Sequence, residues 1–220
     1  MRTALVSLIA LAGLTTAAAA QQPAETPPAQ PAAPPAAAAP AAPPAAAPAP
    51  PAAAPMPELP TSGDGAVVLD AIQRICVPLV RGGNAEQLAK AYGMRKQRNN
   101  RYVAMLGTKP YTIALEPQGS NKDTCELTVE YAVGQDETIA KALHTWAFRH
   151  EPELKPYRSD IRPDPATGNQ LTTRSWEHFT NTDSIGLVFV KHSKQDGSPV
   201  ARNADRAKVL YQERKITTAG

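Results

Sequence analysis

Aromatic side chains make up only 5% of this 220-residue chain, and it has only two cysteines and four histidines. That scarcity removes whole classes of chemistry. His144 and His150 stand six apart on one helical pattern, so they cannot chelate as an i, i+4 pair does. The two cysteines have no histidine at zinc-ligand spacing. The G-x-S-x-G, P-loop, H-E-x-x-H and S-x-x-K motifs are all missing, which leaves no recognisable catalytic grouping. No cofactor or metal is therefore expected. Asp160, Asp164 and Asn169 lie close together in "DIRPDPATGN", but their spacing is not that of a calcium loop, and turn chemistry accounts for them.

Charge of one sign is also lacking. Beyond residue 60 the chain carries 22 basic and 18 acidic residues, evenly mixed. A nucleic-acid binder concentrates positive charge on one side, so nucleic acid is not an expected partner. After the first twenty residues no stretch approaches the 18 apolar residues of a membrane span.

What is present begins with a leader. Arg2 precedes an apolar run from Ala4 to Leu14, and Ala18 and Ala20 form a small-x-small site. This is the form of a bacterial Sec signal peptide over 1–20, with cleavage after Ala20. No cysteine is placed there for a lipid anchor. The expected destination is the periplasm, with secretion as the alternative, and no stable membrane insertion once the leader is removed. Residues 21–60 hold 15 of the 23 prolines among alanines. Prolines at that density forbid a helix, and the segment has nothing large to bury. It reads as a disordered, extended linker with a reach on the order of 120 Å at ~3.1 Å per residue.

The remaining 61–220 are read as one globular domain of ordinary size. Its first segment is helical: Val68, Ile72, Ile75 and Leu79 recur at spacings of 4, 3 and 4, and Cys76 shares their face. Ser62 or Asp64 is placed to cap it, and Pro78 is expected to kink or end it. A short helix follows, capped by Asn84 and stopped by Gly93. "RYVAMLG" and "YTIALEP" flank "GTKP" as a hairpin. In "CELTVEYAV", Cys125, Leu127, Val129, Tyr131 and Val133 alternate with more polar positions, as a strand with one buried face does.

Both cysteines thus lie on inward stripes, one on a helix and one on a strand. An exported pair of this kind is expected to form a structural disulfide, Cys76–Cys125. An apolar stripe supplies neither the access nor the low pKa of a reactive thiol.

The strongest helical pattern is 135–152, with Asp136 as cap, Glu137 and Lys141 as an i, i+4 pair, and a stripe of Ile139, Leu143, Trp146, Ala147 and His150. Residues 155–170 read as a polar, proline-rich loop. Three further strands are expected at 171–179, 185–192 and 207–214, the second of them central because "IGLVFV" is apolar on both faces. The class is α+β, with a mainly antiparallel sheet, helices on one face and a duplicated α-β-β-β order.

Two groups are candidates for function. Arg95, Lys96, Arg98 and Arg101 fall within seven residues. Guanidinium groups suit phosphate or carboxylate, so an anionic envelope component or an acidic envelope protein is the expected partner; the alternative is a charged sheet edge that discourages aggregation. If the chain is instead an enzyme, such as a hydrolase, its acid–base groups would be His178 or His192 with Glu177 or Asp183, brought together by neighbouring strands. The leading expectation is a non-enzymatic binding domain on a flexible tether; a purely structural role is a third reading.

Overall fold

A computed structural model of the chain describes residues 56–107 and 110–216. The expected leader and residues 21–55 of the linker lie outside the described residues. Contacts with the domain begin before residue 61. Leu59 packs against the core, and the Pro57 carbonyl accepts a hydrogen bond from Arg149 at 3.0 Å.

The first helical rod consists of α1 (Gly63–Ala71), a π turn (Ile72–Cys76) and α2 (Val77–Val80). Val68, Ile72, Ile75 and Leu79 are all buried, as their spacing predicts. Pro78 does not stop the rod, which runs on to Val80. A proline has no N–H for the preceding turn and crowds its carbonyl. Here the coil is already widened, because Val77 N–H bonds the carbonyl of Ile72 five residues back, and this wider turn accommodates the ring. Helix α3 (Ala85–Ala91) is capped by Asn84, whose side chain accepts from Gln87 N–H at 3.0 Å.

Eight strands form one antiparallel sheet: β1 (Arg95–Lys96), β2 (Tyr102–Met105), β3 (Thr112–Leu115), β4 (Thr124–Tyr131), β5 (Lys155–Pro163), β6 (Gln170–Phe179), β7 (Asp183–Ser193) and β8 (Asp205–Lys215). Their spatial order is β1-β2-β3-β4-β8-β7-β6-β5. Each half of the domain is therefore helical structure followed by a four-strand meander. The last strands of the two halves, β4 and β8, pair antiparallel in the middle, Leu127 opposite Val209 and Val129 opposite Ala207. The repeat read as α-β-β-β has a fourth strand in each half. In the second half this is β5, which the sequence presents as a loop. β5 lies at the sheet edge and pairs only with β6. All its residues but Asp160 are exposed, so no buried alternation marks it, and an edge strand tolerates Pro156 and Pro163. β7 is interior, between β8 and β6, as expected for "IGLVFV".

Strand β4 alternates strictly between buried and half-buried positions. It stops at Tyr131, one position short of the full stripe. Val133 is 54% exposed, because the chain turns there, with Gln135 N–H bonding the Ala132 carbonyl at 3.1 Å. Helix α4 (Asp136–Arg149) then begins with Gln135, not Asp136, at the cap position. Asp136 is the first helical residue and pairs with Lys191 at 3.0 Å. Glu137 does not pair with Lys141 as read; it forks onto Arg174 of β6.

The core lies between the helices and one face of the sheet. The π turn and α2 lie over β4 and β8, while α4 lies over β5, β6 and β7. Ile139, Leu143, Trp146 and Ala147 are buried, with the Trp146 ring set edge-on to Tyr211 at 5.8 Å. Helices α1 and α4 touch closely at Gly65, where an added Cβ would stand 2.8 Å from that of Ala142. Cys76 and Cys125 are bonded, with Cα atoms 5.2 Å apart and both residues fully buried. The bond ties the helical rod to β4 in the centre of the sheet.

Candidate functional site

Among the described residues no element packs over the second face of the sheet. Its composition follows from the strand register. One row across the strands runs Arg162, Leu171, His192, Arg206, Glu130, Thr112 and Met105. The next runs Asp160, Thr173, Val190, Lys208, Thr128, Ala114 and Val103. Within this face Arg101, Glu116, Glu126, Thr128, Glu130, His192, Arg206 and Lys208 line a trough of about 370 Å³. Its charges are matched: Arg101 pairs with Glu116 at 2.7 Å, Lys208 with Glu126 at 2.7 Å and Arg206 with Glu130 at 2.6 Å. Cross-strand pairs of this kind stabilise a solvated sheet face modestly. Of five buried side-chain polar atoms without a hydrogen-bond partner among the described residues, Arg101 Nε, Asp160 Oδ1, Thr173 Oγ1 and His192 Nε2 belong to this face.

The enzyme candidates come together only in part: His178 and Asp183 flank the β6–β7 turn, near enough for His178 to help lower the Asp183 pKa, while His192 stands apart. His178 lies opposite Ile185 on the β6–β7 ladder, and His192 lies opposite Leu171. Seven positions of strand therefore separate them, about 23 Å at ~3.3 Å per residue. They also face opposite sides of the sheet. Asp183 is engaged by Lys215 and Thr182, which hold its carboxyl below the ordinary range. Among the described residues Glu177 accepts only from Ser175, at 3.3 Å. Burial holds the His192 imidazole below its ordinary pKa, and Lys208 and Arg206 act the same way against the nearby Asp164. Asp164 itself organises the β5–β6 turn, accepting from Ala166 N–H at 3.0 Å and Thr167 Oγ1 at 2.7 Å. That is the turn chemistry its sequence context predicts.

The basic cluster is split by the fold. Lys96 lies over the Tyr102 ring at 5.7 Å and reaches Glu86 at 4.0 Å. Arg101 turns into the trough, onto Glu116. Arg95 and Arg98 are exposed and have no acidic partner among the described residues. Arg95 is on the edge strand β1, and Arg98 is in the turn joining it to β2, closed by Gln97 N–H to the Arg101 carbonyl at 2.8 Å. Arg95 also lines a groove of about 450 Å³ with Gly93, Gln97, Val103, Ala104 and Met105. Val103 and Met105 share its face of the sheet, and Met105 is 44% exposed.

Two polar groups were not legible as sites. Lys191 Nζ lies 3.0 Å from Asp136 and 3.3 Å from the buried Asp205. Burial lowers the lysine pKa, but the two carboxylates outweigh it and the net shift is upward. Asp205 also accepts from Gly134 N–H at 3.0 Å, so this cluster fastens the start of α4 to the sheet. The second joins Arg81 to Glu213 through a two-pronged contact, Nε at 2.8 Å and Nη2 at 2.7 Å, with Tyr211 OH donating to the same carboxylate. No motif in the sequence marks either cluster, because each joins residues far apart in the chain that only the packing brings together.

No family model, no curated protein and no solved structure matches the chain.

Proposed function

We propose that the chain is an exported, non-enzymatic binding domain that holds an anionic amphiphile of the bacterial envelope, a phosphorylated lipid or lipopolysaccharide. The Ala/Pro segment serves as its tether in the periplasm. The observation that carries this reading is the pairing of Arg95 and Arg98, without acidic partners among the described residues, with the apolar groove of Val103 and Met105 beside Arg95. A guanidinium group forks onto phosphate oxygens, and apolar surface next to it takes up part of an acyl chain. Export is supported by the leader pattern and is compatible with the disulfide. The two histidines stand about 23 Å apart along the β6–β7 ladder, and Asp183, beside His178, is taken up by Lys215 and Thr182, which favours binding over hydrolysis.

The test is co-sedimentation with vesicles. The folded domain is expected to follow vesicles containing lipopolysaccharide or phosphatidylglycerol, and to remain in solution with zwitterionic vesicles. Arg95→Ser with Arg98→Ser should abolish the retention while leaving the circular dichroism unchanged. Equal retention of the double variant would refute the assignment of the site.

A further inference from the structure

The two halves of the domain differ beside their main helices. In the first half, α3 packs against the rod, and Tyr92 OH donates to the Val67 carbonyl at 3.2 Å. In the second half, α4 ends at Arg149 and β5 begins at Lys155 with no helix between them. The flank of α4 over β5 and β6 stays open as a groove of about 540 Å³, a volume in the range of small-molecule sites. It lies on the helix side of the sheet, away from the face that carries Arg95.

Polar groups converge at one part of this groove. Trp176 Nε1–H donates to His144 Nδ1 at 2.9 Å. A neutral ring that accepts at Nδ1 carries its hydrogen on Nε2, so His144 presents a donor. Lys141 lies three residues earlier, on the same helix face and about 5–6 Å away at Cβ. The residue expected to neutralise it, Glu137, is held by Arg174, and Arg158 is held by Asp160. Lys141 is therefore the lining cation without an acidic partner among the described residues. One ammonium and one N–H donor, a helical turn apart, suit a head group bearing a single negative charge. Trp176, Ala140 and Pro156 supply the apolar part of the lining, and Ser159 and Ser175 complete it. Phe148, four residues beyond His144 on the same face, is 46% exposed. Tyr157, at the bulge of β5, is 74% exposed.

We propose that the α4–β6 groove binds a single-chain carboxylate, its head between Lys141 and His144 and its apolar chain along Trp176 and Pro156 toward Phe148. The site is separate from the arginine hairpin and does not depend on it. The experiment titrates the folded, oxidised protein with octanoate, acetate and 1-octanol while following the Trp176 indole N–H by NMR. Octanoate should shift that resonance saturably; acetate, which lacks the chain, and octanol, which lacks the charge, should each bind at least tenfold more weakly. Lys141→Ala, an exposed substitution, should weaken octanoate at least tenfold. Arg95→Ser with Arg98→Ser should leave octanoate binding unchanged, so that failure at one site is told apart from failure at the other. An indole resonance unmoved by millimolar octanoate would overturn the proposal. So would a Lys141→Ala protein that binds octanoate as the parent does, or octanol binding as tightly as octanoate.

Discussion

Replacing Cys76 and Cys125 together by alanine is expected to lower stability by about 2–4 kcal/mol. The cross-link closes a span of 49 residues, for which the chain-entropy relation gives roughly 4 kcal/mol at 25 °C. Residual structure in the denatured chain reduces that figure. Loss of two fully buried sulfurs from the core acts in the opposite direction, by leaving small cavities. The bond also joins two separately formed units, the rod and the centre of the sheet, so no local contact replaces it. A domain of this size loses about 2–4 °C of Tm per kcal/mol, which predicts a fall of roughly 5–15 °C. Urea denaturation of the reduced parent, which lacks the same constraint but keeps the sulfurs, should show a fall no larger than that of the double variant. Mass spectrometry of the native protein should show one linked peptide pair and no thiol that alkylates without denaturant. A stability change under about 1 kcal/mol, or ready alkylation of native Cys76, would refute the reasoning, since a buried bridge that constrains a span of this length cannot be silent.

Other expectations follow from single contacts. Gly65→Ala should destabilise by about 1 kcal/mol in a urea titration: overpacking against Ala142 costs roughly 1–3 kcal/mol, and alanine's helix propensity returns at most about 1; a stabilised variant would contradict the close approach of α1 and α4. Burial raises the Glu213 pKa, but hydrogen bonds from Arg81 and Tyr211 outweigh it and the net shift is downward. Its contribution is therefore complete above about pH 4.5 and is lost as acid carries the pH down through the lowered folded-state value. Glu213→Gln should cost on the order of 1 kcal/mol at pH 7 and flatten the acid limb of the stability curve; an unchanged limb would show that the Arg81 contact is not formed in solution. Intact mass of the exported protein should place its first residue at Gln21, and a membrane-bound form that keeps Met1 would remove the tethered-domain reading.

The parts of the fold that a reader can take from the sequence are those with one buried face. Val68, Ile72, Ile75 and Leu79 announce the rod, and Cys125, Leu127, Val129 and Tyr131 announce β4. Once both stripes are known, the Cys76–Cys125 bond follows. β5 escaped because an edge strand exposed along nearly all its length carries no alternation, and its prolines argue for a loop. The continuation past Pro78 depended on a widened turn that propensity does not encode. Site geometry was harder still, because it depends on register. His178 and His192 look like neighbours at the ends of consecutive strands, yet antiparallel pairing sends them to opposite ends of the hairpin. Likewise, four basic residues in seven look like one patch, but Glu86 and Glu116, distant or unremarkable in sequence, engage Lys96 and Arg101. Only Arg95 and Arg98 remain for a partner.

The most direct test of the binding account is the affinity for lipopolysaccharide-containing vesicles measured across a salt series, for the parent and for Arg95→Ser with Arg98→Ser. Contacts between exposed charges weaken as the Debye length shrinks from about 10 Å at 0.1 M to about 3 Å at 1 M salt. The parent should lose affinity steeply over that range. The double variant should bind at least tenfold more weakly at low salt and show almost no dependence on salt. Identical salt profiles for the two proteins would contradict the account.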